Sequence, residues 1–263
     1  MDRDGIDPAA LEDALIRLRP KLVYLIPSFH CPTGRLMGLD RRRQVLELCR
    51  RFRTPIVESH VYGDVGFGKS VPSLKSLDQN DIVIHQGSAS KSVSAALRLG
   101  WLVAPSGAMG MLAQAKASLD LATPRLPQAI LAQFLRSGAY ARHLPTMRAG
   151  LQARRDALIS ALAIHCPDLR CGLPQGGLYL WARLPHDLVG REVEAAALAE
   201  GLSVRAGEAF LVHDGPSRHI RLCYAAPGVD QIVEGARRLG HAVNRLLNKQ
   251  KRREPRAALF AAV

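Results

Sequence analysis

The sequence lacks the cysteine pattern of a disulfide-bonded or metal-binding protein. Among its 263 residues are five cysteines, namely Cys31, Cys49, Cys166, Cys171 and Cys223. They form no Cys-x-x-Cys pair and show no metal-ligand spacing with a histidine. We therefore predict reduced thiols, a cytoplasmic location and no metal site.

Long apolar runs, internal repeats and long linkers are absent as well. No apolar run approaches the roughly 20 residues of a membrane helix, so we expect no membrane partner. Met1 is followed by an acidic, polar stretch that differs from a signal peptide. Hydrophobic residues make up 48% of the chain, which is enough for a sizeable core and agrees with an α/β protein.

Acidic residues are outnumbered by basic ones. The chain has 36 Lys and Arg against 23 Asp and Glu, a net charge of +13. A basic tail at residues 249–263 contains Lys249, Lys251, Arg252, Arg253 and Arg256. Such runs are usually solvated, and without an aromatic stacking pattern or a zinc finger we expect no direct nucleic-acid binding. The positive charge suits an anionic cofactor and a substrate carboxylate.

The most informative segment is residues 87–101. An apolar run at residues 82–84 leads into a loop of small residues, and a second apolar run at residues 99–104 follows. This pattern predicts that Lys91 lies at a strand end of an α/β sheet, where ligands collect. Small hydroxyl residues and an arginine can hold a phosphate dianion, and a lysine amine can form a Schiff base with an aldehyde.

The residues of this loop stand in a recognisable order. Ser88, Ser90 and Lys91 form Ser-x-Ser-Lys, Arg98 follows seven residues after the lysine, and a glycine and an aromatic residue come soon after. This order resembles the cofactor-lysine segment of class I/II aminotransferases, which bind pyridoxal 5′-phosphate (PLP). The resemblance implies that Lys91 is the catalytic lysine that forms a Schiff base with PLP. It also implies that Ser88, Ser90 and Arg98 contact the phosphate.

An earlier turn resembles the same family. Residues 27–34 follow an apolar strand predicted at residues 22–26. They precede a helix predicted over residues 40–52, whose apolar face consists of Val45, Leu46, Cys49 and Phe52. Residues 27–34 resemble the family's Asn-Pro-Thr-Gly turn, in which the asparagine hydrogen-bonds the ring oxygen of PLP. This chain has Cys31 at the position of that asparagine.

A second departure lies at residues 58–64, after a short predicted strand. They resemble a family segment of the form Glu-Asp-Asp-Val-Tyr-Gly-Asp; Tyr62 is kept, and Ser59 replaces the aspartate that keeps the PLP ring nitrogen protonated. A serine hydroxyl cannot supply that charge, and charge-assisted hydrogen bonds are about twice as strong as neutral ones. We therefore predict weak transamination or none, since about 1.4 kcal/mol is a factor of ten in rate. His60 and Asp64 are nearby groups that could compensate, although His60 is better interpreted as a loop histidine.

The resemblance continues in the second half of the chain. Residues 137–148 and 154–158 resemble the helix that leads into the small domain of MocR-type transcription regulators and of related aminoadipate and kynurenine-type aminotransferases. Residues 174–181 resemble the family's Pro-x-Gly-Gly-x-x-x-Trp strand, and residues 218–225 its late Arg-Leu-x-Phe-Ala segment. The last match implies that Arg221 binds the substrate α-carboxylate by a bidentate fork.

The resemblance implies an α/β fold, the PLP-dependent transferase fold (fold type I), with an incomplete large-domain parallel sheet and a small C-terminal α/β domain. We predict a partial large PLP-binding domain at 1–121, a linking helix region at 122–155, a small domain at 156–248 and the basic tail at 249–263. The match begins partway through the family's large domain, so we expect the C-terminal part of a larger protein. A homodimer is expected only if the remaining surface permits it.

Several functions stay open at this point. The first is an aminotransferase that exchanges an amino acid with a keto acid, in which the released Lys91 abstracts the α-proton. The alternative is a PLP-sensing or amino-acid-sensing effector domain of a MocR-type regulator, which Cys31 and Ser59 favour. A fragment without function is a third reading. Residues 88–91 also match the Ser-x-x-Lys of penicillin-recognising enzymes, but the chain lacks the Lys-Thr-Gly and Ser-Asp-Asn partners.

Overall fold

The structure is a computed structural model that describes residues 1–185 and 187–260, with only the backbone given for 252–260. The chain forms two compact units. The first consists of residues 1–31, 35–149 and 175–177. The second consists of residues 32–34, 150–174 and the chain from Leu178 onward.

The first unit alternates helices and strands along the chain. Its elements are α1 (Pro8–Leu18), β1 (Val23–Leu25), α2 (Leu39–Arg51), β2 (Ile56–Ser59), α3 (Leu74–Leu77), β3 (Val83–Ser88), β4 (Gly100–Val103), α4 (Ser106–Asp120), α5 (Arg125–Arg136) and the first part of α6 (Ala139–His165). The strands predicted from the apolar runs and the helix predicted over residues 40–52 are confirmed. Pro8 opens α1, and the Asp7 carboxylate accepts a hydrogen bond from the Ala9 amide, which caps the helix.

The sheet of the first unit has the strand order β1-β2-β3-β4. The first three strands are parallel, whereas β4 pairs with β3 in the antiparallel direction, so the sheet is mixed instead of purely parallel. A parallel return needs a crossover of a dozen or more residues, usually with a helix. The connection from Ser88 to Gly100 holds only a short 3-10 turn at Ala95–Leu97, so the chain reverses directly.

The core of this unit lies between one face of the sheet and the first three helices. Val45 and Cys49 of α2 are fully buried at a spacing of one helical turn, and they pack with Ile56 and Val83 from the sheet. Leu46 and Phe52, predicted on the same helix face, are partly buried against this cluster. Burial of α2 therefore holds the parallel strands in place and fixes the loops at their carboxyl ends.

The second unit is built on an antiparallel sheet. Its strands are β5 (Arg170–Cys171), β6 (Tyr179–Arg183), β7 (Arg205–Ala206) and β8 (His219–Cys223), in the order β5-β6-β8-β7, and its helices are the later part of α6, α7 (Gly190–Ala199) and α8 (Val229–Phe260). Residues 249–260 of the predicted basic tail continue α8, and residues 261–263 lie outside the described residues.

Alternation along β6 and β8 separates a buried face from an accessible one. Leu180 and Ile220 are fully buried, while their neighbours Tyr179, Trp181 and Arg221 are only partly buried. Trp181 pairs with Arg221 in the sheet register, so both side chains project from the accessible face. Within the described residues, no helix is both long enough and apolar enough to cross a membrane.

Candidate active site

The predicted cofactor residues of the first unit follow three neighbouring parallel strands. They are Cys31 after β1, Ser59 and Tyr62 at and after the end of β2, and Ser88, Ser90, Lys91 and Arg98 at and after the end of β3. Ser59 pairs with Gln86 in the register of β2 and β3, and the His60 amide donates to the Gln86 carbonyl at 2.9 Å. The carboxyl ends of parallel strands meet at one edge of a sheet, which is where α/β proteins bind ligands.

The loop that contains Lys91 is one tight turn. The Val93 amide donates to the Ala89 carbonyl at 2.9 Å, and the Ser90 amide donates to Ser88 Oγ at 3.1 Å. Lys91 is half-buried in this turn, and its amine has no hydrogen bond or ion pair within the described part of the chain. The Lys91 amine is therefore available to bind a ligand, because it does not take part in contacts that stabilise the fold.

Arg98 ends the same loop in an unusual backbone conformation. Its φ is +52°, in the left-handed region that non-glycine residues enter rarely. The side chain is exposed and reaches only the Ala95 carbonyl, at 3.5 Å; among the residues that the structure describes it forms no ion pair. A guanidinium, two serine hydroxyls and a lysine amine on one loop match the donors that a phosphorylated aldehyde needs. The residues present therefore fit the predicted cofactor.

Two glycines shape the turn that contains Cys31. Phe29, two residues earlier, is buried with a φ of +52°. A Cβ atom at Gly66 would approach the Phe29 ring to 2.7 Å, and one at Gly176 to 2.5 Å, so only glycine leaves room for the ring. Gly66 and Gly176 also pair through an isolated β-bridge. The first glycine of the Gly-Gly pair therefore helps to hold the Phe29 end of the Cys31 turn.

Ser59 and Tyr62 are both buried, with exposed fractions of 3% and 7%. Strand alternation places Ser59 on the same face as Gln86 and Ser88, and Glu58 on the opposite face with His85. Ser59, which the sequence resemblance predicts at the position of the family's aspartate, therefore lies on the same face of the sheet as Ser88.

A buried ionic cluster that sequence reasoning missed lies on the opposite face. Glu58 is fully buried, and its carboxylate lies 2.9 Å from His85 Nδ1, 2.7 Å from the Leu74 amide and 3.1 Å from the Lys75 amide. Burial raises the pKa of Glu58, but the hydrogen bonds from His85 and the two amides outweigh it, and the pKa is lowered overall. The available signal was a glutamate and a histidine, Glu58 and His85, within two otherwise apolar strands.

Arg42 of α2 completes this cluster. Its Nη1 lies 3.8 Å from Glu58, and both side chains are fully buried. Its guanidinium also donates to the carbonyls of Met37, Pro27 and Pro72 and to Ser28 Oγ, at 2.9–3.2 Å. Burial lowers the pKa of Arg42, and the Glu58 charge opposes this shift. Arg42 therefore links the strand that ends in Ser59 to the segment that leads to Cys31.

His60 also belongs to this cluster. Its ring centre lies 5.1 Å from that of His85, and its Nδ1 lies 3.8 Å from Glu58 Oε1. Burial lowers the pKa of His60, and the Glu58 charge opposes this shift. The side chain is 23% exposed and follows the end of β2, which agrees with its interpretation as a partly exposed loop histidine.

Arg221 lies in the second unit. Its guanidinium carbon is 4.1 Å from the centre of the Tyr179 ring and 4.9 Å from that of Phe210. Such cation–π contacts hold an arginine in a fixed orientation. Arg221 is therefore packed by aromatic rings and is not a freely solvated strand arginine.

Comparison with known proteins identifies the family. The sequence model for aminotransferase class I and II matches residues 2–239, so the chain belongs to this family. The family resemblance and the fold type predicted from the sequence are both confirmed.

Relatives include enzymes and regulators. The chain is 36% identical over 249 residues to 2-aminoadipate transaminase of Thermus thermophilus, covering 93% of this chain and 62% of the relative. It is 29% identical over 251 residues to the HTH-type transcriptional regulator YdfD of Bacillus subtilis, covering 95% of this chain and 52% of the relative.

Solved structures show the same fold. The structure of α-aminoadipate aminotransferase of Thermus thermophilus, in complex with N-(5′-phosphopyridoxyl)-L-leucine, has a TM-score of 0.90 and 35% identity. The match covers 94% of this chain and 64% of that one. This chain therefore spans between about half and two thirds of the length of the relatives described here.

Proposed function

We propose that this chain is a PLP-dependent, aminotransferase-type domain with weak transaminase activity or none, and that PLP attaches to Lys91. The observation that carries the proposal is the half-buried Lys91 amine, which has no partner among the described residues and shares its loop with two serine hydroxyls. The family and the phosphopyridoxyl ligand of the Thermus structure indicate PLP as the cofactor, as the sequence predicted.

Ser88, Ser90 and Arg98 hold the phosphate in this proposal. A guanidinium binds a phosphate through two parallel hydrogen bonds, and serine hydroxyls add neutral donors. Arg98 supports this role because its guanidinium is exposed and has no carboxylate partner among the described residues. The net charge of +13 further favours an anionic cofactor.

Cys31, Ser59 and Tyr62 face the pyridine ring in this proposal. When bound, PLP supplies an electron sink for the negative charge that develops at the substrate α-carbon. Tyr62 donates a hydrogen bond to the ring oxygen, whereas the Cys31 thiol is a weak donor. The neutral Ser59 hydroxyl does not hold a proton on the ring nitrogen as a carboxylate does, which weakens the sink and accounts for low activity.

The proposed substrate is an amino acid or a keto acid. Arg221 binds its α-carboxylate through the planar fork of the guanidinium, which the Tyr179 and Phe210 rings orient. The Lys91 Nζ takes the α-proton as a general base. The printed names of the relatives, which include 2-aminoadipate transaminase, support an amino-acid substrate.

A sensor function is the second candidate. The regulator relative matches 95% of this chain. The sequence resemblance further predicts that Ser59 and Cys31 replace the aspartate and the asparagine of the family's enzymes. In this reading the domain binds PLP and an amino acid, and ligand binding without turnover is its output.

We also propose a homodimer and a cytoplasmic location. In the first unit, α4 and α5 have no buried residue, and the β4 side chains Trp101, Leu102 and Val103 are about half exposed. Apolar surface of this extent favours association with another polypeptide.

The cytoplasmic location rests on the five cysteines, all of which are free thiols.

The function is tested by absorption spectra and keto-acid release with PLP and a panel of amino acids. The wild-type chain should show a visible band with PLP, and Lys91→Ala should lack it. Lys116→Ala, which changes an exposed lysine paired with Asp120 on α4, is the matched control and should keep the band. If the wild-type chain releases keto acid faster than Lys91→Ala, the domain is an enzyme. If amino acids change its spectrum without release of keto acid, the domain is a sensor. A folded chain without a Lys91-dependent band would refute both readings.

A further inference from the structure

Three side chains near the start of α6 contact the two loops that contain Lys91 and Tyr62. They are Tyr140, His143 and Arg148, and all of them lie in the first unit. None belongs to the proposed cofactor site. Their partners are Ser92, which follows Lys91 directly, and Asp64, which is two residues after Tyr62.

The Tyr140 hydroxyl connects the two loops. It donates to Asp64 Oδ2 at 2.6 Å, and it lies 3.0 Å from Ser92 Oγ. A phenol has only one proton, so when Asp64 accepts it, the Ser92 hydroxyl donates to the phenol oxygen. Burial, followed by the Asp64 hydrogen bond, raises the pKa of Tyr140 to about 12, so the phenol keeps its proton at neutral pH.

The backbone of both loops is held as well. His143 Nε2 lies 3.0 Å from the Ser92 carbonyl oxygen, and because a carbonyl only accepts, this nitrogen bears the proton. Arg148 Nε donates to the Asp64 carbonyl at 2.8 Å. Ser92 is 5% exposed and is therefore fixed at both its hydroxyl and its carbonyl.

Aromatic packing fixes the Tyr140 and His143 rings. The Phe134 ring of α5 lies 6.1 Å from the Tyr140 ring in an edge-on arrangement and 6.0 Å from the His143 ring. Aromatic pairs at such distances are favourable beyond their buried area. The Tyr140 hydroxyl is thus presented to Ser92 by a ring that is already held.

We propose that Tyr140 is a positioning residue that holds the Lys91 loop against the turn after β2. The inference rests on the proposed function, because it concerns the lysine to which PLP attaches there. Ser92 is the direct neighbour of Lys91, and an anchored Ser92 fixes the direction in which the lysine leaves the backbone. Tyr140 acts through Ser92 and touches no reacting atom.

The first test is amide hydrogen exchange on the full chain without PLP. Tyr140→Phe removes the hydroxyl and keeps the ring against Phe134. We expect about fivefold faster exchange at Val93 and Ser94, which corresponds to about 1 kcal/mol, the net value of one hydrogen bond. Tyr24→Phe is the matched control, since Tyr24 is 55% exposed on β1.

A double-mutant cycle tests the route through Ser92. Ser92→Ala should increase the exchange rate at Val93 and Ser94 by a similar factor. The double variant Tyr140→Phe/Ser92→Ala should exchange little faster than either single variant. The inference would be overturned if the two substitutions had additive effects on the exchange rate, or if Tyr140→Phe and Tyr24→Phe exchanged at the same rate. An increase in exchange spread evenly over the first unit would overturn it as well.

PLP titration separates this inference from the proposed function. Tyr140→Phe should bind PLP about fivefold more weakly than wild type and still attach it at Lys91. Unchanged affinity in Tyr140→Phe would overturn the positioning role. A wild-type chain that attaches no PLP would overturn the proposed function, while the exchange result, obtained without PLP, still decides whether Tyr140 holds the loop.

Discussion

At the scale of single residues, two positions are central to the proposed function. Lys91 provides an amine in a loop of phosphate-binding residue types, and its sequence order is typical of the family. Ser59 lies at the end of β2 with 3% of its surface exposed, and the sequence resemblance predicts that it replaces the family's aspartate. In the proposed function, Lys91 attaches PLP and Ser59 limits the rate of the reaction that follows.

Restoring the charge at position 59 should increase activity. Ser59→Asp places a carboxylate at the ring nitrogen, and because a charge-assisted hydrogen bond is about twice as strong as a neutral one, we expect about a tenfold faster conversion of bound PLP by an amino acid. The rate is measured from the loss of the visible band in stopped flow. Ser106→Asp adds the same charge at the exposed start of α4 and should leave the rate unchanged. A Ser59→Asp chain that binds PLP without any gain would show that position 59 has been misassigned.

At the scale of elements, the sheet edge depends on a buried ionic cluster. The contacts of Glu58 with His85, α3 and Arg42 hold the end of β2 from the face opposite to Ser59. Removing one partner of a buried ion pair leaves the other charge without compensation, which is usually costly. The cluster therefore positions Ser59 and Tyr62 indirectly, through the strand that leads to them.

Glu58→Gln should destabilise the first unit. The amide keeps the size of the side chain but loses the charge that faces Arg42 and His85, and we expect a loss of about 3 kcal/mol in the free energy of unfolding. Urea denaturation measures this loss. Glu47→Gln changes an exposed glutamate of α2 that pairs with Arg50, and it should unfold like wild type. Equal midpoints for the two variants would contradict a structural role of Glu58.

The pH dependence of stability has a definite sign. The pKa of Glu58 is lower in the folded chain than its ordinary value of 4.5, so its contribution is present above pH 4.5 and is lost as the pH falls through the folded pKa. His60 affects stability in a separate pH range. Its pKa in the folded chain lies below the ordinary value of 6.5, so the folded chain loses stability as the pH falls below 6.5. Glu58→Gln should remove the acidic loss, and because the Glu58 charge opposes the lowering of the His60 pKa, it should also increase the loss below pH 6.5. An unchanged acid profile in that variant would mean that other carboxylates cause it.

The sequence predicted the helices and strands better than the contacts between them. Apolar runs located β1 to β4, and the spacing of Val45 and Cys49 located the buried face of α2. The direction of β4 could not be predicted, because an apolar run has no sense of direction. The contacts of Tyr140 with Ser92 and Asp64 join residues 48 and 76 positions apart, and a local pattern cannot show which distant polar groups will meet.

At the scale of the whole molecule, the predicted roles are divided between two compact units. The cofactor residues lie in the first unit and Arg221 lies in the second. The family matches residues 2–239, while the chain spans 62% of the Thermus transaminase and 52% of the Bacillus regulator. All of the residues proposed to bind PLP lie in the first unit, so the attachment of PLP is tested on this chain directly.

The most direct test of the central claim is to locate the attachment of PLP. The wild-type chain is incubated with PLP, reduced with borohydride and digested, and its peptides are identified by mass spectrometry. We predict a phosphopyridoxyl group on Lys91 in wild type and on no lysine in Lys91→Ala. Equal labelling of Lys91 and of the exposed Lys116, or no labelling of a folded chain, would contradict the assignment of Lys91 as the cofactor lysine.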